Sequence, residues 1–213
     1  MPQYTTDALI LRTYKLGESD RIVVFLTRDR GKKRGVAKNA RQSRRRFGGA
    51  LEPMTYGRVG YLEREHRELV RLDYVVPQRS PLSAVDGDAL GYVGYFAELI
   101  DEWAPEANPN ETLFRLGASM VEALAVGIPI EPLARYFEFW LLRLEGVYEP
   151  DAGLSPAARA FLASIRTSTP FALSDVAVSR GTLRELEQAH RALIARHLEK
   201  ELRSARVIRD MRR

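Results

Sequence analysis

The sequence predicts an α+β chain: a small five-stranded β-barrel over residues 1–80, then an all-α helical bundle over residues 81–213. Three observations carry this. Five short β-rich stretches separated by turn residues fall before Pro77. Past Pro77 and Pro81 the apolar spacing changes from two to about 3.6. The charge changes sign at the same place. Residues 28–46 hold ten basic side chains and one acid, net +9, whereas residues 81–155 hold thirteen acids and three bases, net −10, in a chain that is +5 in total. Such a shift marks a domain boundary near residue 80.

The barrel elements follow in order. Ala8–Tyr14 is short, apolar and β-rich, and Leu16-Gly17-Glu18-Ser19-Asp20 is turn chemistry. Ile22–Thr27 is β-branched and too short for a helix. Arg28–Gly31 makes a tight turn in which Gly31 is free to take positive φ. Lys32–Lys38 reads as a third strand with one exposed face. Asn39–Gly49 has no apolar period and ends in two glycines, so a mobile loop is expected there. Thr55–Arg64 and Glu68–Val76 complete the set; in the last, Val70, Leu72, Tyr74 and Val76 alternate with Arg71 and Asp73. Five strands in this space suit an OB-type barrel.

The helices follow. Asp88–Trp103 carries Val93, Phe96, Ala97 and Ile100 on one side, and Pro105 and Pro109 end it. Asn110 caps the next helix and Gly127 stops it. Glu131–Leu144 is apolar almost all round, which places it at the centre of the bundle. Ser155-Pro156 starts a short helix to about Arg166, and a long one runs from about Thr182 to Leu202. His190 and His197 flank its apolar stripe and read as structural. Arg203, Arg206, Arg209 and Arg212 then recur every three residues, either extending a nucleic-acid surface or forming a soluble terminus.

Several classes are excluded or disfavoured. With no cysteine, disulfides, thiolate nucleophiles and cysteine zinc sites are absent. GKKRG lacks the spacing and hydroxyl of a phosphate loop, and there is no GxSxG. No apolar run is long enough for a membrane span. The N-terminus lacks the order of a secretory signal, so a cytoplasmic location is expected. Neither a catalytic constellation nor a cofactor is expected. Glu63, Glu65 and Glu68 form the one cluster fit for a nuclease's magnesium, but Arg64 and Arg67 interleave them.

The basic stretch supplies the functional candidates: Arg28, Arg30, Lys32, Lys33, Arg34, Lys38, Arg41, Arg44, Arg45 and Arg46. A stripe this dense attracts a polyphosphate chain, and OB barrels add aromatic stacking platforms. Tyr14, Phe47, Tyr56 and Tyr61 are the available aromatics. Phe47 is either a platform or an anchor tucking the loop onto the barrel. The alternatives are an RNA-binding module, a metal-dependent nuclease, and an adaptor whose loop binds an acidic protein.

The order of motifs then becomes specific. ALILRTYKLGESDRIVVFLT, RGKKRGVAKNAR, SRRRFGGALEPM, FEFWLLRLEGVYEP and HLEKELRSARVI together resemble the bacterial repair and recombination mediator family RecO, over essentially the whole length. The resemblance implies an N-terminal OB barrel and a C-terminal helical domain. It also implies binding of single- and double-stranded DNA, strand annealing, and work with RecR to load RecA on DNA coated by single-stranded-DNA-binding protein, at the nucleoid. Lys32, Lys33, Lys38, Arg41 and Arg44 fall in the family's basic strand and loop. Two departures stand out. Many relatives carry a four-cysteine zinc module after the segment equivalent to Gly146–Pro150, and here no cysteine follows it, so a zinc requirement is not carried over. The acidic bundle should also repel the acidic tail of single-stranded-DNA-binding protein, leaving a local pocket near Arg135, Arg143 or the C-terminal arginines to receive it.

Overall fold

A computed structural model describes residues 2–63, 67–84, 87–149 and 153–211. Strands β1 (Gln3–Leu16), β2 (Asp20–Thr27), β3 (Gly31–Ala37), β4 (Tyr56–Leu62) and β5 (Leu69–Arg79) close a barrel in the order β1-β2-β3-β5-β4. All pairs are antiparallel except β3 with β5, which closes the barrel in parallel from Arg34↔Leu69 to Ala37↔Leu72. This is the expected OB-type barrel. β1 is longer than its apolar centre predicts because its first residues pair with β4, from Gln3↔Leu62 onward. Backbone pairing does not require apolar side chains.

The apolar runs in β1 and β2 are continuous because both faces of these strands are covered. Ala8, Ile10, Val23 and Phe25 point into the barrel, while Leu9, Leu11, Val24 and Leu26 join the core of the helices. Successive side chains of a strand alternate sides, so a run without polar interruptions needs cover on both. Gly117 permits the close approach, since a Cβ there would meet Leu9 at 2.6 Å and Ile100 at 2.9 Å.

The segment expected to be a mobile loop is anchored instead. It contains a one-turn helix α1 (Arg44–Phe47), and Phe47, Ala50 and Leu51 are buried in the barrel core. Three apolar residues without a helical or strand period are enough to hold a loop when they cap an open barrel end.

The helices are α2 (Gly87–Trp103), α3 (Glu111–Ala125), α4 (Ile130–Leu144), α5 (Pro156–Ile165), α6 (Arg180–Leu198) and α7 (Arg203–Met211), with 3₁₀ turns at Pro81–Ser83 and Pro170–Asp175. The Asn110 side chain accepts from the Leu113 amide at 3.0 Å and Ser155 from the Ala158 amide at 3.2 Å, so both expected caps form. α4 is buried along most of its length. The expected long last helix is broken: Glu199 turns left-handed (φ 54°) and α7 starts anew against α2. Glu98 of α2 caps it, its carboxylate accepting from the Arg203 amide (3.2 Å), the Ser204 amide (2.8 Å) and the Ser204 hydroxyl (2.5 Å).

At the centre of the bundle Glu138, 2% exposed, accepts from Tyr95 (2.8 Å) and Arg135 (2.8 Å), and its second oxygen lies 3.0 Å from His190 Nδ1. His190 is thus a packed histidine. His197 stacks on Trp103 with ring centroids 5.3 Å apart.

Candidate nucleic-acid interface

The basic stretch does not form one patch. β3 carries it from one end of the barrel to the other, about 20 Å at ~3.3 Å per residue over seven residues. Its first half docks on the helices. Lys32 is 7% exposed; its Nζ donates to the Asp101 carbonyl at 2.6 Å and lies 3.4 Å from the Asp101 carboxylate and 3.6 Å from Glu106. Backbone bonds from the Lys32 amide to Pro105 (3.2 Å) and from the Ala107 amide to Lys32 (3.0 Å) fix the same contact. Gly31 is required here, for its positive φ (69°) and because a Cβ would collide with the Asn108 backbone. Arg34 pairs with Glu106 at 3.2 Å and Arg28 with Glu111 at 3.5 Å. Lys33 donates to Glu63 at 2.7 Å. Arg30 lies 3.8 Å from Asp29 and 3.9 Å above the Tyr4 ring. The expectation of a single stripe open to solvent is therefore corrected: its first half is paired with acids, Asp101, Glu106 and Glu111 of the helical part and Asp29 and Glu63 of the barrel.

The second half is different. Among the described residues, Lys38, Arg41, Arg45 and Arg46 form no ion pair with an acid. Arg41 is held by the β1–β2 turn, its Nη1 donating to the Glu18 carbonyl at 2.9 Å and its amide to Ser19 at 3.2 Å. Arg46 donates to the Lys38 carbonyl at 2.7 Å and lies 5.0 Å over the Phe47 ring. Arg45 is exposed. Arg44 opens α1. The bonds of Arg41 and Arg46 go to carbonyl and hydroxyl oxygens and leave the guanidinium charge uncompensated.

Beside them runs a groove of about 520 Å³ lined by Arg12, Arg21, Arg41, Phe47, Gly48 and Glu52, among others. Phe47 is 2% exposed and is the loop's anchor, not a stacking platform, because the barrel end needs an apolar plug. Tyr61 and Tyr56 are core or packed against it. Tyr14 remains open at 45% exposure, its hydroxyl accepting from Arg12 at 3.2 Å. Arg12 and Arg21 were missing from the sequence reading because they lie outside the dense run. Strand pairing was the available signal: Arg21 sits opposite Ala37, next to Lys38.

The other sequence candidates separate as well. Glu63 is bound to Lys33, and Glu65 lies outside the described residues. No group of three His, Asp or Glu fit for a metal ion occurs among the described residues. Arg206 and Arg209 pair with Glu201 at 3.4 and 2.9 Å. Arg135 is 3% exposed and committed to Glu138, so it cannot receive a peptide tail. No described helix is long and apolar enough to cross a membrane.

The model of the recombination protein O N-terminal domain matches residues 1–80, the span of the barrel, and that of the C-terminal domain matches residues 84–151. The chain belongs to the RecO family. It is 46% identical over 147 residues to the DNA repair protein RecO of Koribacter versatilis (strain Ellin345), a match covering 68% of this chain and 59% of that one. The RecO of Anaeromyxobacter sp. (strain K) is 40% identical over 149 residues, 69% of this chain and 58% of its own. That of Geobacter metallireducens is 39% identical over 146 residues, 68% and 59%. The chain thus spans less than three fifths of the length of these RecO proteins. The family models stop at residue 151, so the resemblance read in HLEKELRSARVI lies beyond them.

Proposed function

We propose that this chain is a non-catalytic DNA repair and recombination mediator that holds single- and double-stranded DNA by its phosphates at the loop end of the barrel. The observation that carries this is the group Lys38, Arg41, Arg45 and Arg46, with Arg21 and Arg41 on one groove, cations of an anchored loop that form no ion pair among the described residues. Bringing two phosphate chains to one basic surface lowers their mutual repulsion and promotes annealing, with no bond made or broken. Family membership supports the further steps: work with RecR, and loading of RecA on DNA coated by single-stranded-DNA-binding protein. Barrel and bundle, divided near residue 80, serve as DNA-binding and docking units.

The bundle offers a place for that protein's acidic, apolar tail. A cavity of about 440 Å³ is floored by Phe139, Tyr148, Leu154 and Leu162 and rimmed by Arg143, Arg159 and Arg166. Arg159 and Arg166 come from beyond the acidic stretch, so the rim is basic where the surrounding bundle is not. A tail-length peptide ending in an apolar residue should bind, and R143A/R166A should weaken it.

The test of the main reading is oligonucleotide binding by R41A/R45A/R46A. Affinity should fall for all sequences alike, since phosphate contacts carry no base information. With about five single-strand phosphates neutralised, log K falls with log salt at a slope of roughly −3.5. A salt-independent affinity, or binding unchanged in the triple variant, overturns the reading. Competition between matched DNA and RNA decides which nucleic acid it takes; a strong RNA preference would replace it with an RNA-binding module.

A further inference from the structure

The Arg28–Arg34 end of the barrel presents cations whose partners are unequal. Lys32 is enclosed, with backbone bonds on both sides of it. Arg28 and Arg34 are not: in Arg28–Glu111 and Arg34–Glu106 all four side chains are more than half exposed. Exposed ion pairs are weak and exchange readily with other anions. The two carboxylates come from one place, the α2–α3 connection and the first residue of α3. Arg30, stacked on Tyr4, lies on the same β2–β3 turn.

We propose that this end is a second phosphate-binding surface, masked by Glu106 and Glu111 acting as internal stand-ins for phosphate. The inference rests on the loop-end reading above and adds its regulation. A strand already held at the loop end is engaged by Arg28 and Arg34 only where its phosphates outcompete these two carboxylates. At low salt the second surface opens, and at higher salt the loop end works alone. The masking limits how much chain one molecule holds, which favours release of an annealed product.

The experiment measures binding of a fluorescein-labelled 20-nucleotide oligothymidylate to the full chain across a salt series. E106Q/E111Q should bind more tightly and steepen the slope of log K against log salt by about 1.4, for two further single-strand phosphates. Adding R28A/R34A to that background should return the slope to the wild-type value. An unchanged slope in E106Q/E111Q overturns the proposal. So does an equal steepening in E149Q/D175N, which removes two exposed acids elsewhere on the bundle and would reveal a general change in charge. Lys32 keeps Asp101 in every variant, and thermal unfolding reports that each folds. R41A/R45A/R46A in the same assay separates the two readings: if it binds like wild type, the loop-end reading fails, whatever E106Q/E111Q does.

Discussion

The Lys32 ammonium reaches the Asp101 backbone carbonyl at 2.6 Å and that residue's carboxylate at 3.4 Å, joining the barrel to the C-terminal turn of α2. Arg12 of β1 reaches the same carboxylate at 3.3 Å. Asp101 therefore holds two barrel cations, and the seam between sheet and helices is partly ionic. Lys32→Met should destabilise the fold by about 2 kcal/mol, the scale for losing a charged hydrogen bond, while Arg12 keeps Asp101 from being left alone. Denaturant unfolding measures the loss. Oligonucleotide affinity of the folded variant should be unchanged, and a loss tenfold or greater would return Lys32 to the binding surface.

Phe47 distinguishes anchoring from stacking. Phe47→Ala should cost about 3–5 kcal/mol as a core truncation and weaken oligonucleotide binding by loosening the loop. Phe47→Leu keeps an apolar plug and should retain affinity within a few-fold. A base-stacking role would instead make Leu nearly as damaging as Ala, because an aliphatic side chain offers no ring face.

Glu138 sets a pH limit on the bundle. Burial alone raises its carboxyl, but Arg135, His190 and Tyr95 more than offset this and hold it below the ordinary carboxylate range. A carboxyl lowered in the folded state stabilises the fold above its unfolded value, about 4.3, and that stability drains as pH falls through the folded value. Wild-type unfolding midpoints should therefore drop below about pH 4, with a shallower dependence in Glu138→Gln. That variant should also lose roughly 3 kcal/mol near neutrality, since buried Arg135 then keeps only the more distant Glu187, at 3.7 Å, as counter-charge. Equal pH slopes for the two proteins would exclude Glu138 as the titrating group.

Glu98 ties down the C-terminal helix. Its carboxyl is lowered, the three bonds from Arg203 and Ser204 and the charge of Arg12 overcoming partial burial. Glu98→Ala should cost about 1 kcal/mol, as for a lost helix cap, concentrated in α7. Limited trypsin digestion should cut at Arg203, Arg206 and Arg209 sooner than in wild type, with the barrel digested at the same rate. Unaltered cleavage there would mean that Ile208 packing alone holds α7.

Much of this molecule was legible from local patterns. Short β-rich runs between turn residues placed the five strands, with alternation marking the last, the Asn110 and Ser155 caps opened their helices, and the nearly unbroken apolar circumference of 131–144 marked the central helix. The loop over 39–49 misled because Phe47, and Ala50 and Leu51 just past it, follow no period; a plug in an open barrel end needs none. The break at Glu199 was hidden because its cap, Glu98, lies a hundred residues away. Arg12 and Arg21 went unnoticed because charge density along the chain is blind to strands that pair.

The sequence by itself determined the five strands, the helices from Gly87 to Leu198 in outline, and the excess of positive charge on the N-terminal third. Only the tertiary structure decided which cations stay free. Alternation and composition are properties of neighbours in the chain, but whether an arginine faces water or a carboxylate depends on how residues 28–34 dock against residues 101–111. That docking is a long-range contact, fixed by the shared apolar core of β1, β2 and the helices. It divides one run of basic residues into a half paired with acids and a half that forms no ion pair among the described residues.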